Sequence, residues 1–111
     1  MEREFDNETW LVEDAGHSVI VKKAEQGVEG LSPIERLIYC LWVADYGMRN
    51  GGDLATADDL YPRFEQEVRR IAEELSLPRS LSAFALSRSD LERAYFQVFD
   101  SVCQELRGMV A

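Results

Sequence analysis

The chain has 111 residues, of which 46% are hydrophobic and 30% charged, and a formal net charge of −9 at pH 7. That length suits one hydrophobic core and is too short for two, and the apolar share is too high for a disordered chain. No apolar run approaches the roughly 20 residues of a membrane span, and the acidic field repels phosphate backbones and anionic lipids, so direct nucleic-acid or membrane binding is not expected.

Residues 1–16 are polar and acidic apart from Phe5 and the cluster Trp10, Leu11 and Val12, which predicts a loosely docked start anchored by Trp10. Glu2, Glu4, Asp6 and Glu8 are the reverse of a basic signal region, and the expected location is cytoplasmic. Residues 18–29 admit two readings. Val19, Ile20 and Val21 have strand character and permit a hairpin with residues 10–13 across a turn at 14–17, whereas Lys22 to Gln26 favours a short helix ended by Gly27.

From Leu31 onward the signals sharpen. Ser32, Pro33 and Glu35 supply an N-cap, a proline at the first helical position and a capping-box glutamate, so a helix is predicted over 33–49. Ile34, Leu37, Ile38, Leu41, Trp42 and Met48 share one side of it, and Asn50, Gly51 and Gly52 stop it by favouring left-handed backbone. A turn of helix over 56–61 leads through Pro62 into a second long helix with Phe64, Val68, Ile71 and Leu75 on one face, closed by Pro78. A short helical piece over 81–86 follows. Ser89 and Glu92 then read as a second capping box, opening a helix lined by Leu91, Tyr95, Val98, Val102 and Met109. The expectation is an all-α single domain of four to six helices.

The acids are unevenly placed: residues 1–60 carry 13 against 5 bases, and residues 61–111 carry 8 against 7. Cys40 and Cys103 stand far apart, each inside an amphipathic helix without a neighbouring Cys or His, and read as buried free thiols with no metal or cofactor. Asp58, Asp59 and Glu65 lack the oxygen spacing of a calcium loop, and Glu73 and Glu74 read as a solvated face.

Asp45 falls inside the apolar face of its helix, between Ile38 and Leu41 on the helical wheel. A buried carboxylate needs donors; the amides of the Asn50–Asp53 turn or an arginine from another helix are the expected partners, making Asp45 an organiser of the glycine turn. The rival role is catalysis with His17, the only histidine, but that residue sits in an expected turn without any nucleophile motif, and the chain reads as a non-enzyme. The Asn-Gly-Gly turn lacks the preceding strand, further glycines and lysine of a phosphate loop, and reads as a helix stop. The aromatics Tyr95, Phe96 and Phe99 cannot share one narrow face. They call for burial on two sides of the last helix, or for a partner such as a second copy of the chain in a homodimer.

Leu31, Ser32, Pro33, Glu35, Arg36, Tyr39, Leu41 and Trp42, followed by the Asn50, Gly51, Gly52 turn, resemble the helix-plus-turn signature of a bacterial family of acidic DNA-mimic proteins. The resemblance covers about a quarter of the chain and implies an all-helical fold whose carboxylates imitate duplex phosphates on the DNA-binding face of a basic protein. It departs from the family pattern at Gly47, Arg49 and Asp53, and lacks the downstream glutamine and asparagine. A net charge of −9 fits such a role, since a mimic exploits the field a duplex would provide. The expected partner-binding residues are Glu2, Glu4, Asp6, Glu8, Glu13, Asp14, Asp53, Asp58 and Asp59.

Overall fold

Helix boundaries in this chain are set by a handful of capping side chains, several of them supplied from a distant helix. The computed structural model describes residues 6–110, which form an all-α fold with no strand among the described residues. Glu2 and Glu4 lie outside the described residues.

Asp6, in extended backbone, accepts the Thr9 amide at 2.7 Å and starts α1 (Asn7–Thr9). This runs directly into a π turn, Trp10–Asp14, and then into α2 (Ala15–Gln26). The Ala15 amide reaches back five residues to the Trp10 carbonyl. Gly16 permits the wide turn, because a Cβ there would lie 1.7 Å from the Leu11 carbonyl oxygen and 3.1 Å from Cδ1 of Trp42. With five residues in the turn, both Trp10 and Leu11 enter the core while Val12, Glu13 and Asp14 stay outside. The loose start expected up to residue 16 is therefore helical from Asn7. A cap and two large buried side chains outweigh the weak local propensity of an acidic segment. Of the two readings of residues 18–29, the helix is adopted and the hairpin is not; Gly27, at φ 78°, ends it.

Helix α3 (Pro33–Gly51) opens with the full capping box: Ser32 Oγ accepts the Glu35 amide at 3.3 Å, and Glu35 accepts the Ser32 amide at 2.8 Å. It runs two residues past its expected end, and Gly52 closes it in left-handed backbone at φ 75°. Helix α4 (Ala55–Leu60) and α5 (Phe64–Glu74) follow. Pro78 does not close α5, which ends through Leu75 and Ser76 (φ 58°); it occupies the first turn of α6 (Pro78–Phe84), where its missing amide costs nothing. Helix α7 (Arg88–Val110) is capped by Ser87, whose Oγ accepts the Asp90 amide at 3.2 Å. The box expected from Ser89 and Glu92 does not form, because Glu92 is engaged elsewhere.

One continuous core joins Leu37, Ile38 and Leu41 of α3, Phe64, Val68 and Ile71 of α5, and Leu91, Tyr95, Phe99, Val102 and Leu106 of α7, closed over by Trp10, Leu11 and Val19. Met109, expected on the apolar face of α7, lies beyond the core and is exposed. Through polar side chains α7 also holds the other elements. Arg88 clamps Asp58 of α4 and Glu65 of α5. Glu92 accepts the Leu54 amide at the start of α4 at 2.8 Å, and Asp100 accepts from Asn7 at 2.9 Å. Glu105 accepts the Arg79 amide at 2.9 Å and both the amide and the hydroxyl of Ser80 at 2.8 Å, capping α6 from outside.

Gly16→Ala should destabilise the fold by about 2–3 kcal/mol in urea unfolding, since the new methyl collides with backbone that cannot yield cheaply. Gly108→Ala on α7, with nothing within 4 Å of the added carbon, should be neutral or stabilising by up to about 1 kcal/mol.

Candidate functional site

Between the N-terminal helical segment and α3 lies a cavity of about 200 Å³, lined by Glu8, Val12, Trp42, Asp45, Tyr46, Arg49 and Asn50. The π turn and the i, i+3, i+4 spacing of α3 place these side chains together. Asp45 forms the floor and is only 2% exposed. Trp42 and Tyr46 stack along one wall, ring centroids 5.6 Å apart.

The Asp45 carboxylate is held by groups other than those expected. Tyr95, from α7, donates its hydroxyl to Oδ1 at 2.8 Å, and Arg49, one turn along the same helix, donates Nε to Oδ1 at 3.0 Å and Oδ2 at 2.9 Å. The Asn50–Asp53 amides take no part. Asn50 turns its side-chain amide back onto the Tyr46 carbonyl at 2.9 Å, and the Gly52 amide is bonded to Met48. Sequence reasoning located the buried carboxylate but not its partners, because Tyr95 is 50 residues away and reads as a core aromatic. The Arg49 guanidinium lies 5.1 Å from the ring centres of both Phe96 and Phe99, and its Nη1 is 3.6 Å from Glu8.

Burial pushes the Asp45 carboxyl above its ordinary range, more strongly than the Tyr95 hydrogen bond and the Arg49 charge pull it down; the Glu8 charge adds to the rise. Burial likewise raises the Tyr95 phenol well above its ordinary value, with the Asp45 charge acting in the same direction. Both thiols are buried and unreactive in character, Cys103 being pushed up to about 12 by desolvation. His17, expected in a turn, is exposed in the first turn of α2 and does not line this cavity, so the structure does not bring it together with Asp45. Among the described residues no group of three His, Cys, Asp or Glu side chains is placed to hold a metal ion, and no helix is long and apolar enough to cross a membrane.

The acidic candidates divide by what they touch. Asp6 is held below the ordinary carboxylate range by the Thr9 amide it caps, and Asp58 by its hydrogen bond from Arg88. Glu8 belongs to the Arg49 cluster, and Asp53 accepts the Ala55 amide at 3.1 Å. Glu13, Asp14 and Asp59 are exposed and carry no hydrogen bond or ion pair among the described residues. Three acids outside the expected set, Glu25, Glu29 and Glu73, share that state. For Glu25 the signal was available, since once 15–26 is helical, positions 14, 18, 21 and 25 fall on one side; Glu29 lies beyond the Gly27 stop. The expectation that α7 is buried on two sides is not met: Tyr95 and Phe99 are buried, but Phe96 is 53% exposed beside Arg49.

Because the folded state holds the Asp45 proton more tightly than the unfolded chain, its contribution to stability is fully present below the ordinary carboxylate range and is lost as pH rises through the raised value. Urea unfolding of the parent chain and Asp45→Asn across pH 4 to 8 should show the parent gaining stability relative to the variant as pH falls. Tyr95→Phe, which removes a donor from the buried carboxylate, should cost about 1–3 kcal/mol at pH 7.

Compared with known proteins, the chain matches no family model, no curated protein and no solved structure.

Proposed function

We propose that this chain is a non-enzymatic interaction protein whose acidic surface binds a basic protein partner, in the manner of a DNA mimic. The carrying observation is the division of charge. Lys22, Arg36, Arg49, Arg70, Arg88 and Arg93 sit in ion pairs with carboxylates of the same chain, Arg69 donates to the Phe84 carbonyl and Lys23 lies over the Tyr39 ring; Arg63 and Arg79, exposed and without an ion pair among the described residues, stand away from the N-terminal segment, beside α5 and on α6. Glu13 and Asp14 of the π turn, Glu25 of α2 and Glu29 just beyond the Gly27 stop remain exposed and carry no ion pair among the described residues. Asp14 and Glu25 are eleven residues apart, which on a helix is three turns, so they project from one side about 16 Å apart along the axis. Fixed negative charges held at such spacing are the feature that a phosphate-binding surface reads without regard to base sequence.

The likeness of residues 31–52 to DNA-mimic proteins supports the same reading. Individual exposed carboxylates contribute little affinity; their combined field raises the encounter rate and selects the sign of the partner. Asp53 and Asp58 are less suited than expected, being engaged in a turn and a clamp, and the proposed face moves to the α2 arm with Asp59 as an outlier.

A tagged chain incubated with cell lysate at low salt should capture basic DNA-binding proteins and release them at moderate salt. Reversing Glu13, Asp14, Glu25 and Glu29 to lysine should abolish that capture. Glu73→Lys, on α5, should leave it intact. Capture that ignores salt, or that survives the fourfold reversal, would remove the acidic face from the mechanism.

A further inference from the structure

The cavity over Asp45 has a composition that the acidic-face reading does not use. Two carboxylates, Glu8 and Asp45, meet one guanidinium, Arg49, so the site is one positive charge short of balance. A carboxylate offers about four lone-pair positions. Tyr95 donates to Oδ1, and the single Nε–H of Arg49 is shared between Oδ1 and Oδ2, which leaves an acceptor position on Oδ2.

The walls are apolar: Val12, Trp42 and Tyr46, with Val12 40% and Tyr46 43% exposed at the rim. A volume of about 200 Å³ falls below the roughly 300–1,000 Å³ of pockets for drug-sized ligands, and suits a single inserted side chain. A half-buried tryptophan and an exposed tyrosine beside a small recess are the anatomy of an interface anchor point.

From this geometry we propose that the cavity receives a lysine side chain of the basic partner, its methylene stem packed on Val12, Trp42 and Tyr46 and its ammonium placed between Glu8 and Oδ2 of Asp45. Lysine fits better than arginine because one acceptor position on Oδ2 suits a point charge, whereas a guanidinium is best matched by two parallel acceptors. Arg49 stays where it is, packed against Phe96 and Phe99. This inference rests on the reading of the chain as a binder of basic proteins, and adds the anchor that long-range charge alone lacks.

The test uses the full chain and a defined probe, Nα-acetyl-lysine methylamide, titrated by two-dimensional NMR against its neutral norleucine analogue and its arginine analogue. The lysine probe should give saturable shifts at the Trp42 indole and the amides of 45–50, with affinity at least about tenfold above that of norleucine. Glu8→Gln, an isosteric change at an exposed side chain whose ion pair to Arg49 is a long 3.6 Å, should weaken it by about tenfold, and Asp45→Asn should do the same if that variant folds. Equal response to lysine and norleucine, or lysine shifts unaffected by Glu8→Gln, would overturn the proposal; equal or tighter binding of the arginine analogue would overturn the preference for an ammonium. Lysate capture separates the two ideas. Salt-sensitive capture without lysine binding removes the cavity alone, and lysine binding without capture of basic proteins removes the acidic-face reading.

Discussion

The interaction on which the architecture turns is the hydrogen bond from Tyr95 to Asp45, because it joins the longest helix to the helix that carries the cavity through a group that cannot be left alone in the interior. An ionised carboxylate withdrawn from water must be matched by donors or become protonated. Here the match comes from one neutral hydroxyl on α7 and one guanidinium on α3 itself, which fixes the rotation of both helices about their axes. Once that rotation is set, Phe99 faces the core, Phe96 faces outward beside Arg49, and Trp42 and Tyr46 line a recess instead of filling it.

Much of the fold was legible because its signals are local. Ser32, Pro33 and Glu35 announce α3 within four residues, and Gly52 ends it within two of the expected place. The failures share a cause. The N-terminal segment reads as loose because its stabilisers are an aspartate cap and a glycine that admits a π turn, and no periodicity of 3.6 survives across a turn of five residues. Pro78 and Glu92 were misplaced for a related reason. A proline can close one helix or open the next, and a glutamate three residues after a serine can serve its own helix or a distant one; only tertiary contact decides between them.

The candidate site was half visible. A charge inside an apolar stripe marks Asp45 from the sequence alone, but Tyr95 carries no polar signature until it is seen pointing at that charge, and the recess depends on the relation of two segments about thirty residues or more apart. Surface acids were visible as a composition and not as a pattern. Whether an aspartate is a cap, a clamp or an unengaged charge depends on neighbours that the sequence does not order, and Asp6, Asp58 and Asp14 turn out to be one of each.

The capping of α4 and α6 from α7 bears on the order of assembly. Helices of six and seven residues are far below the length at which a helix persists by itself, and neither carries a side-chain N-cap of its own at the N-cap position. Glu92 and Glu105 complete them only after α7 is formed and docked. The two short helices are therefore dependents of the long one: displacing α7 withdraws the acceptors from their first turns together with its own apolar face from the core.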